Sequence, residues 1–312
     1  MGEGSFAMIP RTSERKGSIA ILIAALIWST GGLFIKAVTL DTWGVSFWRS
    51  SFAAITIYVI YRLQYKSMAP EEAQDRSWTS PFVLITALCY AILLVLFVLA
   101  TKLTTSANAI FLQYTAPIYV LFAEPILSRT RLKRSDLVTV LISTAAMALF
   151  FIGKFETRNA WGNIAAVASG VALAIYALML KHQRTTQANR WQFVIVGHVI
   201  IAVSMGIVAL LGGTSLSPSS QDMIDLLYLG IIQIGIAYAF FTYGIAHIRA
   251  IDATLIMMIE PVLNPIWVFL GIGERPTNYA IVGGLIILAI SIVRTVRGNM
   301  EVIEVEKVRP GE

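Results

Sequence analysis

The stretch GSIAILIAALIWSTGGLFIK, residues 17–36, lies without a gap over GNIAAVASGVALAIYALMLK, residues 162–181; both open G-x-I-A and both close on a lysine, Lys36 and Lys181. Each is about 20 residues long and mostly apolar, the length at which a helix crosses a hydrocarbon core roughly 30 Å thick. At an offset one residue shorter, FVLATKLTTSANAIFLQYTAPIY (97–119) lies over FTYGIAHIRAIDATLIMMIEPVL (241–263), pairing Phe97 with Phe241, Ala109 with Ala253 and Pro117 with Pro261. The register continues through Arg131 with Arg275, Val138 with Val282, and Leu141-Ile142 with Leu285-Ile286. Apolar segments align easily by chance, but matching ends, a shared proline and a nearly constant offset identify a duplication.

Composition sets the solvent. Of 312 residues, 57% are hydrophobic and 13% charged, about half the charge of a soluble domain. The chain is therefore expected to be an all-α integral membrane protein. The formal charge of +6 points to anionic headgroups rather than nucleic acid, because the basic residues stand scattered at segment ends. Cys89 is the single cysteine, so no disulfide framework is implied. The polar start MGEGSFAMIPRTSERKGS lacks the pattern of a cleaved leader.

Hydropathy divides the chain into about ten spans, at 18–38, 43–63, 81–101, 104–127, 135–153, 161–181, 190–212, 222–247, 249–271 and 277–296. With both termini cytoplasmic, 18 of the 24 lysines and arginines fall on the inner side, as the positive-inside rule requires. The longest outer loop, GGTSLSPSSQD (212–222), has none. Each repeat holds five helices, and five is odd, so the second copy enters the membrane from the opposite side. The expected architecture is two inverted five-helix repeats, 18–153 and 161–297, between tails at 1–17 and 298–312. Secondary transporters are commonly built this way, with the substrate site near the midplane between the halves.

The motifs carry a resemblance. G-x-I-A…IWSTGGLFIK, Arg49 in FWRSSFAA, LTTSANA before the fourth helix and EPVLNPIW…GERP in the ninth resemble the drug/metabolite transporter superfamily, in particular its ten-helix EamA-type members, over roughly residues 17–297. The resemblance implies a transporter in the inner membrane that moves amino acids, metabolites or toxic compounds, with export the first expectation. It also implies an acid in the loop after the fourth helix; Thr130 stands there, opposite Glu274, and an intramembrane Glu124 lies six residues upstream. Glu124 is close enough to the inner end to reach headgroups or Arg129, and is expected to be structural.

The ninth span poses the sharpest chemical question, since MMIEPVLNPIW (257–267) carries an acid, an amide and two prolines inside the membrane. A carboxylate at bilayer depth is costly and marks a functional site by default. Helical spacing puts Met257, Glu260, Asn264, Trp267 and Gly271 on one face, which suits an amphiphilic organic solute. Pro261 is expected to strip the Met257 carbonyl of its donor, and Pro265 that of Pro261. Glu260 is expected either to serve substrate or proton coupling, or to be satisfied by Arg49 or a hydroxyl. The eighth span lines up Gln233, Ile236, Phe240, Tyr243 and His247; the fourth lines up Gln113, Pro117 and Glu124 beside Tyr114. Trp28 is expected to wall a cavity, and Tyr176, the repeat equivalent of Gly31, to point into the same space. Arg49 binds a substrate carboxylate, pairs with an acid, or snorkels outward. Substrate-binding candidates are therefore Trp28, Arg49, Gln113, Tyr114, Tyr176, Gln233, Phe240, Tyr243, Met257, Glu260, Asn264 and Trp267.

No cofactor is expected. The chain has no phosphate-binding G-x-x-x-x-G-K-[ST] loop, no H-E-x-x-H and no paired aspartates, which argues against a pump or an intramembrane enzyme. His198 stands alone in the seventh span and is expected to pack, and no histidine has metal-ligand spacing. The expected partners are a small organic solute, membrane lipid and protons as a coupling ion, in a monomer or homodimer. A passive channel or facilitator is the alternative.

Overall fold

The computed structural model describes residues 11–65, 78–116, 118–120, 157–180, 187–248 and 256–290, together with scattered positions between 123 and 149 and residues 185, 253, 292 and 293. Among the described residues the chain is helical, with no strand. The helices are α1 (Arg11–Ser29), α2 (Gly31–Ala37), α3 (Thr42–Tyr65), α4 (Pro81–Leu103), α5 (Ser106–Gln113), α6 (Thr157–Leu180), α7 (Gln187–Leu211), α8 (Ser220–Leu227), α9 (Ala237–Ile245) and α10 (Ile259–Ile272). A π-helical stretch, Tyr228–Ile236, joins α8 to α9 without a gap, and α11 (Asn278–Ile290) follows α10. Among the described residues, five helical segments are long and apolar enough to cross a membrane, namely 14–37, 81–103, 159–180, 189–211 and 220–245. Most of the fifth expected span lies outside the described residues, and so do Pro117 and Glu124 of the fourth.

The packing obeys the symmetry expected from the repeat. Helix α4 packs along α6, as α9 packs along α1; α3 and α7, the second helices of the two halves, pack on each other. Exchanging the halves maps each of these contacts onto its partner or onto itself. The interface between halves is thus the core of the bundle, and its layers join α3 to α7 through Ile57, Tyr61, Trp191 and Val194.

The glycine of each G-x-I-A opening has a steric reason. A Cβ on Gly17 would come within 2.8 Å of His247 and Ile248, and one on Gly162 within 2.7 Å of Thr104 and 2.9 Å of Leu103. In the repeat register His247 and Ile248 are the equivalents of Leu103 and Thr104. The same close crossing is therefore built twice, and any side chain at either glycine would force the helices apart.

Three expected spans are interrupted. The first breaks at Thr30 between α1 and α2. The ninth is not one helix over 249–271: a turn at Met258 precedes α10, which runs from Ile259. Pro261 then falls in the first turn of α10, where a missing N–H costs nothing. The first half breaks at the equivalent place, since α5 ends in a turn at Tyr114 and Thr115. Both halves thus carry a discontinuous helix, broken three residues before the shared proline.

Candidate functional site

The two helix breaks face each other. The Tyr114 hydroxyl, at the break of the first half, lies 2.9 Å from Glu260 Oε2 and 3.4 Å from the Met257 carbonyl, at the break of the second. Because α10 starts only at Ile259, this carbonyl lies outside the helix and was not owed a bond by Pro261; the Tyr114 hydroxyl reaches it across the break. Glu260 sits in the first turn of α10, where the unpaired N–H groups of a helix start favour negative charge. An acid in an apolar span is held here by a phenol and a helix terminus.

Arg49 approaches the same centre from α3. It is 4% exposed, which excludes snorkelling to the surface. Its guanidinium donates to Gln233 Oε1 at 3.0 Å, and Gln233 Nε2 donates to the Trp28 carbonyl at 3.3 Å. Glu260 and Tyr90 lie within electrostatic reach of Arg49, and so does His198. Arg49 and Glu260 do not touch; each is held by a neutral partner. The Nε of Arg49 and the Nδ2 of Asn264 are buried without a hydrogen-bond partner. Buried donors are normally satisfied, so these two orphans are informative.

Asn264 is 1% exposed and accepts from Ser106 Oγ at 2.5 Å, while the Trp267 indole donates to Ser29 Oγ at 2.9 Å. Gly271 packs on Leu33. Asn264 and Trp267 of the stripe read along the ninth span are thus turned inward, on a helix that packs against α1, α2 and α5. Gly31 and Gly32 let this happen: a Cβ on Gly31 would come within 2.7 Å of Gln233 Nε2, and one on Gly32 within 2.5 Å of Asn264 Oδ1.

Other candidates are placed differently. Gln113 faces α6, where its amide donates to Ser169 Oγ at 2.7 Å, and that hydroxyl donates to the Leu93 carbonyl at 3.0 Å. It pins three helices together and is satisfied. Tyr176 is buried with its ring 5.1 Å from that of Tyr90. Trp28 packs on Phe241, centroids 5.3 Å apart.

The stripe along the eighth span is divided. Gln233 is buried, whereas Ile236 and Tyr243 are exposed and Phe240 lines a surface groove rather than the centre. The π-helical stretch is the reason: about 4.4 residues per turn instead of 3.6 rotates everything after it relative to an α-helical count. The inward residues of α9 are Ala237, Tyr238, Thr242 and Gly244.

Sequence reading passed over Tyr90. Its hydroxyl lies 3.2 Å from His198 Nε2, while His198 Nδ1 has no partner. His198 does pack, edge-on to the Tyr90 ring, but it also stands within reach of Arg49. The available signal was one tyrosine in the middle of an otherwise apolar span. Ser106 and Ser29 gave none, since serines in membrane helices usually bond their own backbone.

A second polar cluster joins the two halves at one end of the bundle. Lys36 is ion-paired with Glu274, and its ammonium also donates to the Thr104 carbonyl at 2.9 Å. Glu274 Oε1 accepts from the Ser106 backbone N–H at 2.7 Å, at the start of α5. Lys102 donates to the Val38 carbonyl at 2.5 Å, and Asp222 accepts from both the N–H and the hydroxyl of Thr39 at 2.6 Å. The loop acid Glu274 thus ties the second half to the lysine that closes the first repeat motif.

Two five-helix halves around a polar centre made from broken helices define a membrane transporter of the inverted-repeat class. The chain belongs to the EamA-like transporter family, whose model matches it twice, over residues 15–152 and 160–295. It is similar to an uncharacterized transporter of Archaeoglobus fulgidus, 23% identical over 276 residues that cover 88% of this chain and 94% of the relative. The uncharacterized transporter YwfM of Bacillus subtilis is 24% identical over 82% of this chain and 86% of its own length. A solved structure, "Crystal structure of protein", shares the fold with a TM-score of 0.61 at 17% identity, covering 90% of this chain and 96% of that one.

Proposed function

We propose that the protein is a secondary transporter that exports a small organic solute across the inner membrane by alternating access, with both termini cytoplasmic. The halves, 18–153 and 161–297, rock about the centre formed by Arg49, Gln233, Tyr114, Glu260 and Asn264. The observation that carries this reading is the pair of buried, unpartnered donors, Arg49 Nε and Asn264 Nδ2, beside a carboxylate at the junction of the halves. Donors without acceptors suit a solute bearing an acceptor such as a carboxylate, and Glu260 suits an amino group or a proton. An amino-acid-like or amphiphilic compound meets both demands.

The Lys36–Glu274 cluster supports alternating access rather than an open channel. Under the positive-inside reading it lies on the outer side, and its bonds join the two halves across that end. This conformation is then the one closed to the outside. Opening requires those bonds to be exchanged for water, which is inexpensive at a membrane surface.

Counterflow in reconstituted vesicles tests the proposal. Internal solute accelerates entry of labelled solute through a carrier, and a screen of amino acids, nucleosides and polyamines by thermal shift supplies the candidates. Trans-stimulation that persists in Glu260→Gln without any response to a pH gradient identifies Glu260 as the coupling group; a pH response retained in that variant removes it from that role. Absence of trans-stimulation for a solute that binds points to a passive pore.

A further inference from the structure

We infer that the groove between α1, α3 and α9 is a binding site for one anionic phospholipid, with its phosphate on Lys16 and an acyl chain between the two halves of the transporter. The groove has a cavity volume of about 620 Å³. Its floor is made of small residues, Ala20 from α1 and Ala239 from α9, because α1 and α9 meet closely at Gly17 and Gly244. Its walls are Ile19 and Ile23 on one side, Ile60 of α3 across from them, and Ile236 and Phe240 along the second half. Seven residues separate Lys16 from Ile23 and Ile236 from Tyr243, so the groove runs roughly 10 Å along the helices at about 1.5 Å per residue. That is the depth from the headgroup level into the acyl region.

Charge selects the occupant. Lys16 is exposed at the mouth of the groove, Arg15 is exposed beside it, and among the described residues no carboxylate lines it. Glu14 precedes Lys16 by two residues, about 200° around the helix, and so faces elsewhere. Tyr243, stacked on His247 with centroids 4.3 Å apart, supplies the amphipathic aromatic that favours the interface. A lysine at the bilayer surface attracts anionic lipid, while the dry walls below suit a hydrocarbon chain and offer no polar group to an aqueous solute. The site is formed by both halves, α1 and α3 from the first and α9 from the second, so a bound lipid bridges elements that alternating access would move. The inference does not rest on the direction of transport or on the identity of the solute.

Native mass spectrometry of the full chain in detergent, titrated with phosphatidylglycerol or with phosphatidylcholine of the same acyl chains, tests it. The expected result is one tightly retained lipid with about a fivefold preference for phosphatidylglycerol, the size expected for one lysine near the surface. Lys16→Gln, an exposed substitution that leaves packing alone, should abolish that preference, while Arg62→Gln, a basic residue outside the groove, should leave it intact. Ala239→Trp, which fills the floor, should remove the retained lipid of either kind. Equal retention of the two lipids by the native chain overturns the inference, as does a preference that survives Lys16→Gln. Displacement of the lipid by an amphiphilic transported solute, with no headgroup preference, would reassign the groove to solute entry.

Discussion

The polar centre and the closed end of the bundle use similar residues in opposite ways. At the closed end Lys36 and Glu274 touch directly, and each has a further backbone partner. At the centre Arg49 and Glu260 are kept apart, held by Gln233 and Tyr114, and donors on Arg49 and Asn264 stay unpaired. A satisfied pair closes a structure, whereas a separated pair with orphaned donors leaves interaction energy available to a ligand. A buried charge with an incomplete shell is also costly, which is tolerable where a ligand completes it.

The contrast is broken most directly at Arg49. Replacing it with Gln should lower counterflow by about two orders of magnitude, from the roughly 2–3 kcal/mol lost when a buried charged donor is removed, with the protein still monodisperse. Full activity in that variant would show the centre to be structural. Glu260→Gln should come next, with exchange reduced about tenfold at most and its dependence on a pH gradient gone, as measured by flux with and without an imposed gradient. The closed end responds in the other sense. In a Cys89→Ser background, Val38→Cys, at a position 1% exposed at that end, should react slowly with a membrane-impermeant maleimide; adding Glu274→Gln should speed labelling about fivefold, the equivalent of ~1 kcal/mol for a mostly buried but surface-proximal pair. Unchanged labelling would mean that Lys36 and Glu274 do not hold the end shut. The smallest effect is expected for Trp267→Phe, which loses only the bond to Ser29 Oγ; about 1 kcal/mol of stability should appear as a drop of a few degrees in Tm with transport largely retained.

Much of the centre was legible in the sequence because membrane helices punish polar atoms. Glu260, Asn264, Arg49 and Gln233 stand out in apolar spans for that reason, and all four are buried or half-buried inside the bundle. Phe240 and Tyr243 lie away from the centre, and aromatic rings are equally at home on lipid-facing and cavity-facing surfaces. Their phase also depended on the π-helical stretch, which no local pattern announces. An amide in a span can serve packing as readily as binding, and the Gln113 amide is bonded to Ser169.

The sequence by itself determined the scaffold. Hydropathy fixes where helices cross, the duplication fixes that there are two copies, and an odd helix number in each forces their inversion; all three are properties of chain order and composition. The tertiary structure decided the partners. That Tyr114 rather than Arg49 holds Glu260, that Gln233 rather than an acid holds Arg49, and that Glu274 closes on Lys36 follow from how broken helices of different halves cross. Those distances join residues up to 238 positions apart, and nothing in the local periodicity of either segment specifies which atoms will meet.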